Sequence, residues 1–201
     1  MHHPIRQAIP GSILLAGLTA LAATTAPAGC RKQEKHSPNL RSPEDAAAVM
    51  RQEAQSSLSA IALAALHGYR SDRVDRNGML LGKQFPASTG LTPKEPCCKS
   101  PDLTCHPKDE EWSRPTWKAL HFKPADRHLL QYEFLSCNAP GHEQFLVRAV
   151  GAPGCGNKYL VFELKGHPIT SERLPSLSEI TKEIHERMTG QIPREKLACP
   201  K

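Results

Sequence analysis

The feature that most constrains this chain is Ser42 to Tyr69, SPEDAAAVMRQEAQSSLSAIALAALHGY. Ser42 is a good N-cap, because its side-chain oxygen can accept a backbone amide that the first helical turn leaves unpaired. Pro43 suits the first helical position, and Glu44 and Asp45 put negative charge at the positive end of the helix dipole. The apolar positions Ala47, Met50, Ala54, Leu58, Ile61, Ala65 and Tyr69 recur at steps of three and four, which keeps one stripe on one face. No proline interrupts the run. Gly68 and Arg70-Ser71-Asp72 mark its end. A single long amphipathic helix is predicted, with the rest of the chain packed against its stripe; matched heptads for a coiled-coil partner are not evident.

What precedes the helix has the order of an export signal. Arg6 stands in an acid-free start, Ile13 to Ala23 is an apolar run of eleven residues, and small residues lead to Cys30. That run is too short to span a bilayer. Ala26-Pro27-Ala28 fits an ordinary signal peptidase, which would release a secreted chain. Ala28-Gly29-Cys30 is similar to the end of a bacterial lipobox, although Pro27 stands where Leu is usual. Parity favours the second route. Seven cysteines are an odd number for an exported protein. If Cys30 carries a lipid, six remain to pair: Cys97, Cys98, Cys105, Cys137, Cys155 and Cys199. The expected organisation is therefore a signal peptide over 1–29, a lipid-anchored polar tether over 30–41, one domain over 42–190 and a tail over 191–201.

Composition limits the function classes. Only 39% of residues are hydrophobic and 18 are proline, which predicts a modest core with long loops. The formal charge of +6 comes from scattered basic residues without interleaved aromatics, so no nucleic-acid partner is expected. Pro96 to Pro107 holds Cys97, Cys98, Cys105 and His106, in neither zinc-finger nor haem-attachment spacing. Disulfide stapling is the expectation there, with no metal and no cofactor. The histidines form no His-x-His or His-Glu-x-x-His, and Gly-x-Ser-x-Gly is absent, so no catalytic residue is assigned and the chain is not expected to be an enzyme. Glu133 and Glu163 are expected on an outer sheet face with no evident partner.

Downstream, Arg70 to Glu95 reads as loop, with Leu80-Leu81 and Phe85-Pro86 touching the core. Pro115 to Leu120 suggests a helical turn or two that buries Trp117 and Leu120. Trp112 reads as a core anchor, or as a ligand contact if it stays exposed. The period then changes to two. Leu130, Tyr132 and Phe134, then Phe145, Val147 and Ala149, then Leu160, Phe162 and Leu164 alternate with other residues, and turn sequences separate the runs. That predicts a three-stranded antiparallel meander. The second strand, about seven residues at ~3.4 Å each, holds Cys137 and Cys155 ~20 Å apart. A bridge needs Cα atoms within about 7 Å, so Cys155 is expected to pair with Cys97, Cys98 or Cys105. Ser176 to Glu179 has capping-box spacing, and Leu177, Ile180, Ile184 and Met188 mark a helix stopped by Gly190. Cys199 is placed to tie the tail back.

The fold class expected is α+β: a long N-terminal helix on a small three-stranded antiparallel sheet, with disulfide-stapled loops and a C-terminal helix. That order resembles the globular half of type IV pilin-like proteins, particularly those of delta-proteobacteria such as myxobacteria. The residues carrying the resemblance are Gln55 to Ile61, Tyr69, Pro96-Cys97-Cys98, Trp112, Trp117 to Leu120, Phe122, Tyr132 to Phe134, Phe145 to Ala149 and Phe162 to Leu164. Pilins of this kind carry an apolar N-terminal helix for the filament shaft, whereas Cys30-Arg31-Lys32-Gln33-Glu34 is polar at once. Their loop before the last strand is often rich in Asp, whereas Gly151 to Lys158 contains no acid, so no calcium is expected. The resemblance implies a cell-envelope domain, held to the membrane through lipid on Cys30, that meets an unknown envelope protein through loops 71–107 and 151–158. Alternatives are a small-ligand module using Trp112 and a minor pilin or pseudopilin component.

Overall fold

In the computed structural model the described residues are 42–71, 73–74, 77–169, 173–194 and 197–200. The signal, Cys30 and the tether lie outside them. Helix α1 runs Pro43–Arg70, and the Ser42 side chain accepts from the Asp45 amide at 3.1 Å, as the capping residues predict. Ala47, Met50, Ala54, Leu58, Ile61 and Ala65 are buried along one stripe. Two short helices, α2 (Asp109–Trp112) and α3 (Pro115–Ala119), lie between the first and second strands of the main sheet, and α4 (Leu177–Lys182) follows its fourth strand. Among the described residues, no helix is long and apolar enough to cross a membrane.

The sheet departs from expectation. A small hairpin pairs β1 (Arg73–Val74) with β2 (Leu80–Leu81). The main sheet has five antiparallel strands in the order β3 (Thr89–Thr92), β4 (Gln131–Cys137), β5 (Gln144–Gly151), β6 (Tyr159–Gly166) and β7 (His185–Thr189). The predicted meander is its centre, and the three-stranded sheet is corrected to five. Both additional strands are edges, where polar and short sequences are at home because one side faces solvent. β3 reads TGLT, a glycine-bearing run with one large apolar residue. β7 reads HERMT and pairs with β6 from Tyr159 opposite Thr189 to Glu163 opposite His185.

The predicted C-terminal helix is likewise shortened. Its Ser176–Glu179 capping box forms, but the helix ends at Lys182 and the chain turns into β7. Ile180 is buried, whereas Leu177 and Met188, expected on the same face, are 58% and 59% exposed. Pairing with β6 satisfies the backbone groups of 185–189 that face that strand, and Arg51 on α1 pairs with Glu186 at 2.9 Å. The hairpin corrects another expectation: Phe85 is buried, but Leu80 is 74% exposed.

The inner sheet face presents Tyr132, Phe134, Phe145, Val147, Ala149, Phe162 and Leu164 to the α1 stripe, forming one core. Two glycines make that fit possible. A Cβ on Gly151 would lie 2.7 Å from Leu130 and 2.8 Å from the Met50 sulfur, so this strand end has room only for hydrogen. Gly166 lies opposite Phe145 and makes space for its ring.

The helix is also locked to the sheet by a carboxylate. Glu53 accepts from the Leu129 amide at 2.8 Å, the Leu130 amide at 3.2 Å and the Tyr132 hydroxyl at 2.6 Å. These groups lie at the entry to β4, where the ladder has not yet begun, so a side chain from α1 pairs backbone that would otherwise be orphaned. Burial raises the Glu53 pKa above its ordinary 4.5, and the three hydrogen bonds offset this only in part.

On the outer face, Arg148 is 1% exposed and sits between two acids. It donates to Glu163 at 2.7 Å, to Glu133, and to the Pro193 carbonyl at 3.3 Å. The expectation that Glu133 and Glu163 stand unpaired is thereby corrected. The 191–194 segment covers this ion cluster, and a bridge between Cys137 and Cys199 pins the tail, with Gln144 donating to the Ala198 carbonyl at 2.9 Å.

Replacing Glu53 by Ala leaves two backbone amides and a buried hydroxyl without their partner, and should destabilise the fold by about 2–4 kcal/mol in urea unfolding. A raised folded-state pKa gives a contribution that is full below about 4.5 and is lost as pH rises through the folded value. The wild-type minus Glu53→Gln stability difference should therefore decline as pH rises from 4.5. A flat difference curve would contradict the buried-carboxylate assignment.

Candidate functional site

Five cysteine and histidine side chains converge where loops meet the N-terminal end of α1. The 3-10 turn Cys97–Lys99 abuts the 3-10 turn Pro153–Cys155, and the latter packs on Pro43 through Gly154. Between them and the helix lies a small, mainly apolar cavity of about 170 Å³, lined in part by Pro43, Ala46, Met50 and Leu129, with Cys98 and Cys155 also on its wall.

The cysteine pairing sorts the six candidates. Cys97 bridges Cys105 across eight positions, with Cα atoms 4.6 Å apart. Cys137 bridges Cys199 across 62 positions, with Cα atoms 5.3 Å apart, so the tail is tied back as expected. Cys98 and Cys155 are thiols, the first half-buried and the second exposed. Cys155 thus lies in the predicted cysteine region, but Cys97 and Cys105 are already joined to each other. Disulfides persist where the surroundings are oxidising, which places this domain in an extracytoplasmic setting.

His128 stands behind the first bridge. Its backbone pairs with Cys105 in both directions, at 2.7 and 3.0 Å. Its ring nitrogen and the sulfurs of Cys97 and Cys105 lie within 4.8 Å of one another, the spacing of a three-ligand metal site. With the two sulfurs joined, neither is a thiolate, and thiolate is the form that binds metal. Burial drives the His128 pKa from 6.5 down to about 4, with His106 adding in the same direction against a hydrogen bond from the ring to the Asp126 carbonyl. The neutral ring packs edge-on against Trp112.

Trp112 is 3% exposed and meets Trp117, Phe122, His128 and Tyr132. It is therefore a core anchor, and the conditional assignment of an exposed ligand contact is corrected. Trp117 is fully enclosed and donates to Thr92 at 3.0 Å, which ties α3 to the β3 edge. Outside this cluster, His106 and Asp102 form an exposed pair at 2.9 Å, with Arg127 at 3.6 Å. The His106 hydrogen bond holds the Asp102 pKa down at about 2. Both groups are solvated, and Asp102 also accepts from the Thr104 amide, the arrangement of a turn.

The residues missed by sequence reasoning are Glu53, His128 and Arg148. Glu53 falls one position before Ala54, on the border of the apolar stripe, which was a visible signal. Arg148 lies between Leu146 and Val150 on an outer face too apolar to be left in water, and that pattern was also visible. His128 carried no distinguishing signal.

A depressed folded-state pKa gives stability that is present above 6.5 and lost as pH falls toward 4. His128 should thus cost the fold about 2–3 kcal/mol over that interval. His128→Phe, which keeps an aromatic ring against Trp112, should flatten the decline in urea-unfolding free energy between pH 6.5 and 4. An unchanged slope would show that the imidazole is not buried in its neutral form.

No family model, no curated protein and no solved structure matches the chain.

Proposed function

We propose that this chain is an exported cell-envelope protein, anchored through lipid on Cys30, whose domain works by protein contact and without catalysis. The observation that carries this reading is how the buried ionisable groups are used. Glu53 is committed to the backbone entering β4, and Arg148 to Glu133, Glu163 and the tail. Each is held as a structural clamp: Glu53 by the backbone amides it pairs, and Arg148 by two carboxylates and the Pro193 carbonyl, beside the groove that the 191–194 segment borders. The disulfides agree with export, and the signal-like start with Cys30 supplies the anchor.

A long helix laid on an antiparallel sheet is also the arrangement behind the resemblance to pilin-like proteins. The polar start after Cys30 argues for a tethered domain over one built into a filament shaft. The contact surface proposed is the β1–β2 hairpin. Met79 and Leu80 at its tip are 67% and 74% exposed, a pair of large apolar side chains presented on a two-stranded arm. Large exposed apolar side chains grouped together are a mark of protein contact.

Mass spectrometry of the mature protein should find a chain beginning at Cys30 with a diacylglyceryl modification. A chain beginning at Gly29 or earlier with unmodified Cys30 would overturn the anchor. In intact envelopes, a photo-crosslinking residue at position 80 should give a discrete adduct with another envelope protein, and Leu80→Asp in the same arm should leave thermal unfolding unchanged. Absence of any adduct at 80 would remove the hairpin from the contact surface.

A further inference from the structure

We propose that Cys98 and Cys155 form a third intramolecular disulfide in the exported protein, joining the 97–99 turn to the 153–155 turn. Geometry comes first. The Cys155 thiol donates to the Cys98 carbonyl oxygen at 3.0 Å, across 57 positions of sequence. The two turns abut, and both side chains line the same small cavity at the start of α1. Adjacent Cys97 is already joined to Cys105, so the neighbour left for Cys155 is Cys98.

Two further observations agree. Cys155 is held at φ 56°, in the left-handed region that a side chain adopts reluctantly, immediately after Gly154 at φ 67°. That backbone turns the Cys155 sulfur toward the other turn. Burial and the Cys98 thiol also push the Cys155 thiol up to about 11, as expected for two sulfurs sharing one site. Parity adds an argument that rests on the Cys30 lipid proposed above: with Cys30 consumed, six cysteines make three bridges and leave no free thiol.

Oxidation removes two electrons and two protons from the pair and forms one sulfur–sulfur bond. The oxidant is a disulfide, carried by a thiol–disulfide exchange protein or a small molecule, and it leaves as the dithiol. The new bond joins the two turns covalently beside the N-terminal end of α1. Because Cys155 is exposed whereas Cys97 and Cys105 are buried, it is the more accessible of the two bridges at this end of the fold. Mild reductant should open it first.

The test is thiol counting on the full chain, exported into its oxidising compartment and denatured in excess N-ethylmaleimide without reductant. Wild type should take no label at Cys98 or Cys155, and fragmentation should recover a Cys98–Cys155 crosslinked peptide. Cys155→Ser should take one label, at Cys98. Wild-type labelling at both Cys98 and Cys155 would overturn the proposal, as would a Cys97–Cys155 crosslink. A Cys30–Cys98 or Cys30–Cys155 crosslink would overturn this proposal and the lipid anchor together. Labels at Cys98 and Cys155 beside a lipidated Cys30 would sink only the bridge.

Discussion

The structure depends on one carboxylate placed at the seam between helix and sheet. The α1 stripe and the inner sheet face bury a shared apolar core, but apolar burial alone sets neither the height nor the rotation of a helix lying on a sheet. Glu53 sets both, because its two oxygens are shared among two consecutive amides and a tyrosine hydroxyl at the start of β4. The Ser57 hydroxyl, one turn further on, donates to the same Tyr132 oxygen at 3.1 Å, so a second helical residue marks the register. Burial works against the charge, and the hydrogen bonds work for it. Such a group is costly to lose and specific in what it accepts.

The opposite face of the sheet repeats the device with reversed signs. Arg148 is enclosed between Glu133 and Glu163, and Arg187 reaches Glu163 from β7 at 3.0 Å. A buried ion cluster of this kind is weak evidence for added stability, since desolvation consumes much of the attraction. Its effect here is positional. It fixes where the tail crosses the sheet, and the Cys137–Cys199 bridge then holds the tail in that place. The central strand β5 is consequently buried on both faces, although one of its side chains is an arginine.

Much of this was legible in the sequence. Local signals act within a few residues, so the Ser42 cap, the α1 stripe, the Ser176 capping box and the alternation of β4, β5 and β6 could all be read directly. The exclusion of a Cys137–Cys155 bridge followed from strand length alone. The edges were not legible, because an edge strand draws its stability from the partner's backbone. TGLT carries too little apolar patterning to announce a strand, and the face through Ile180, Ile184 and Met188 imitates a helix that pairing with β6 overrides. At the cysteine-bearing end, the region was legible and the pairing within it was not, since adjacent Cys97 and Cys98 are distinguished only by which way each side chain turns.

The seam can be examined directly by native-state amide hydrogen exchange at Leu129 and Leu130. Both residues precede the regular ladder of β4, so without Glu53 their amides would exchange like those of a surface loop. With Glu53 in place they should be protected as strongly as the amides of β5, and they should lose that protection selectively when Glu53 is replaced by Ala. Fast exchange at both positions in the native protein would contradict the claim that this carboxylate fixes the helix on the sheet.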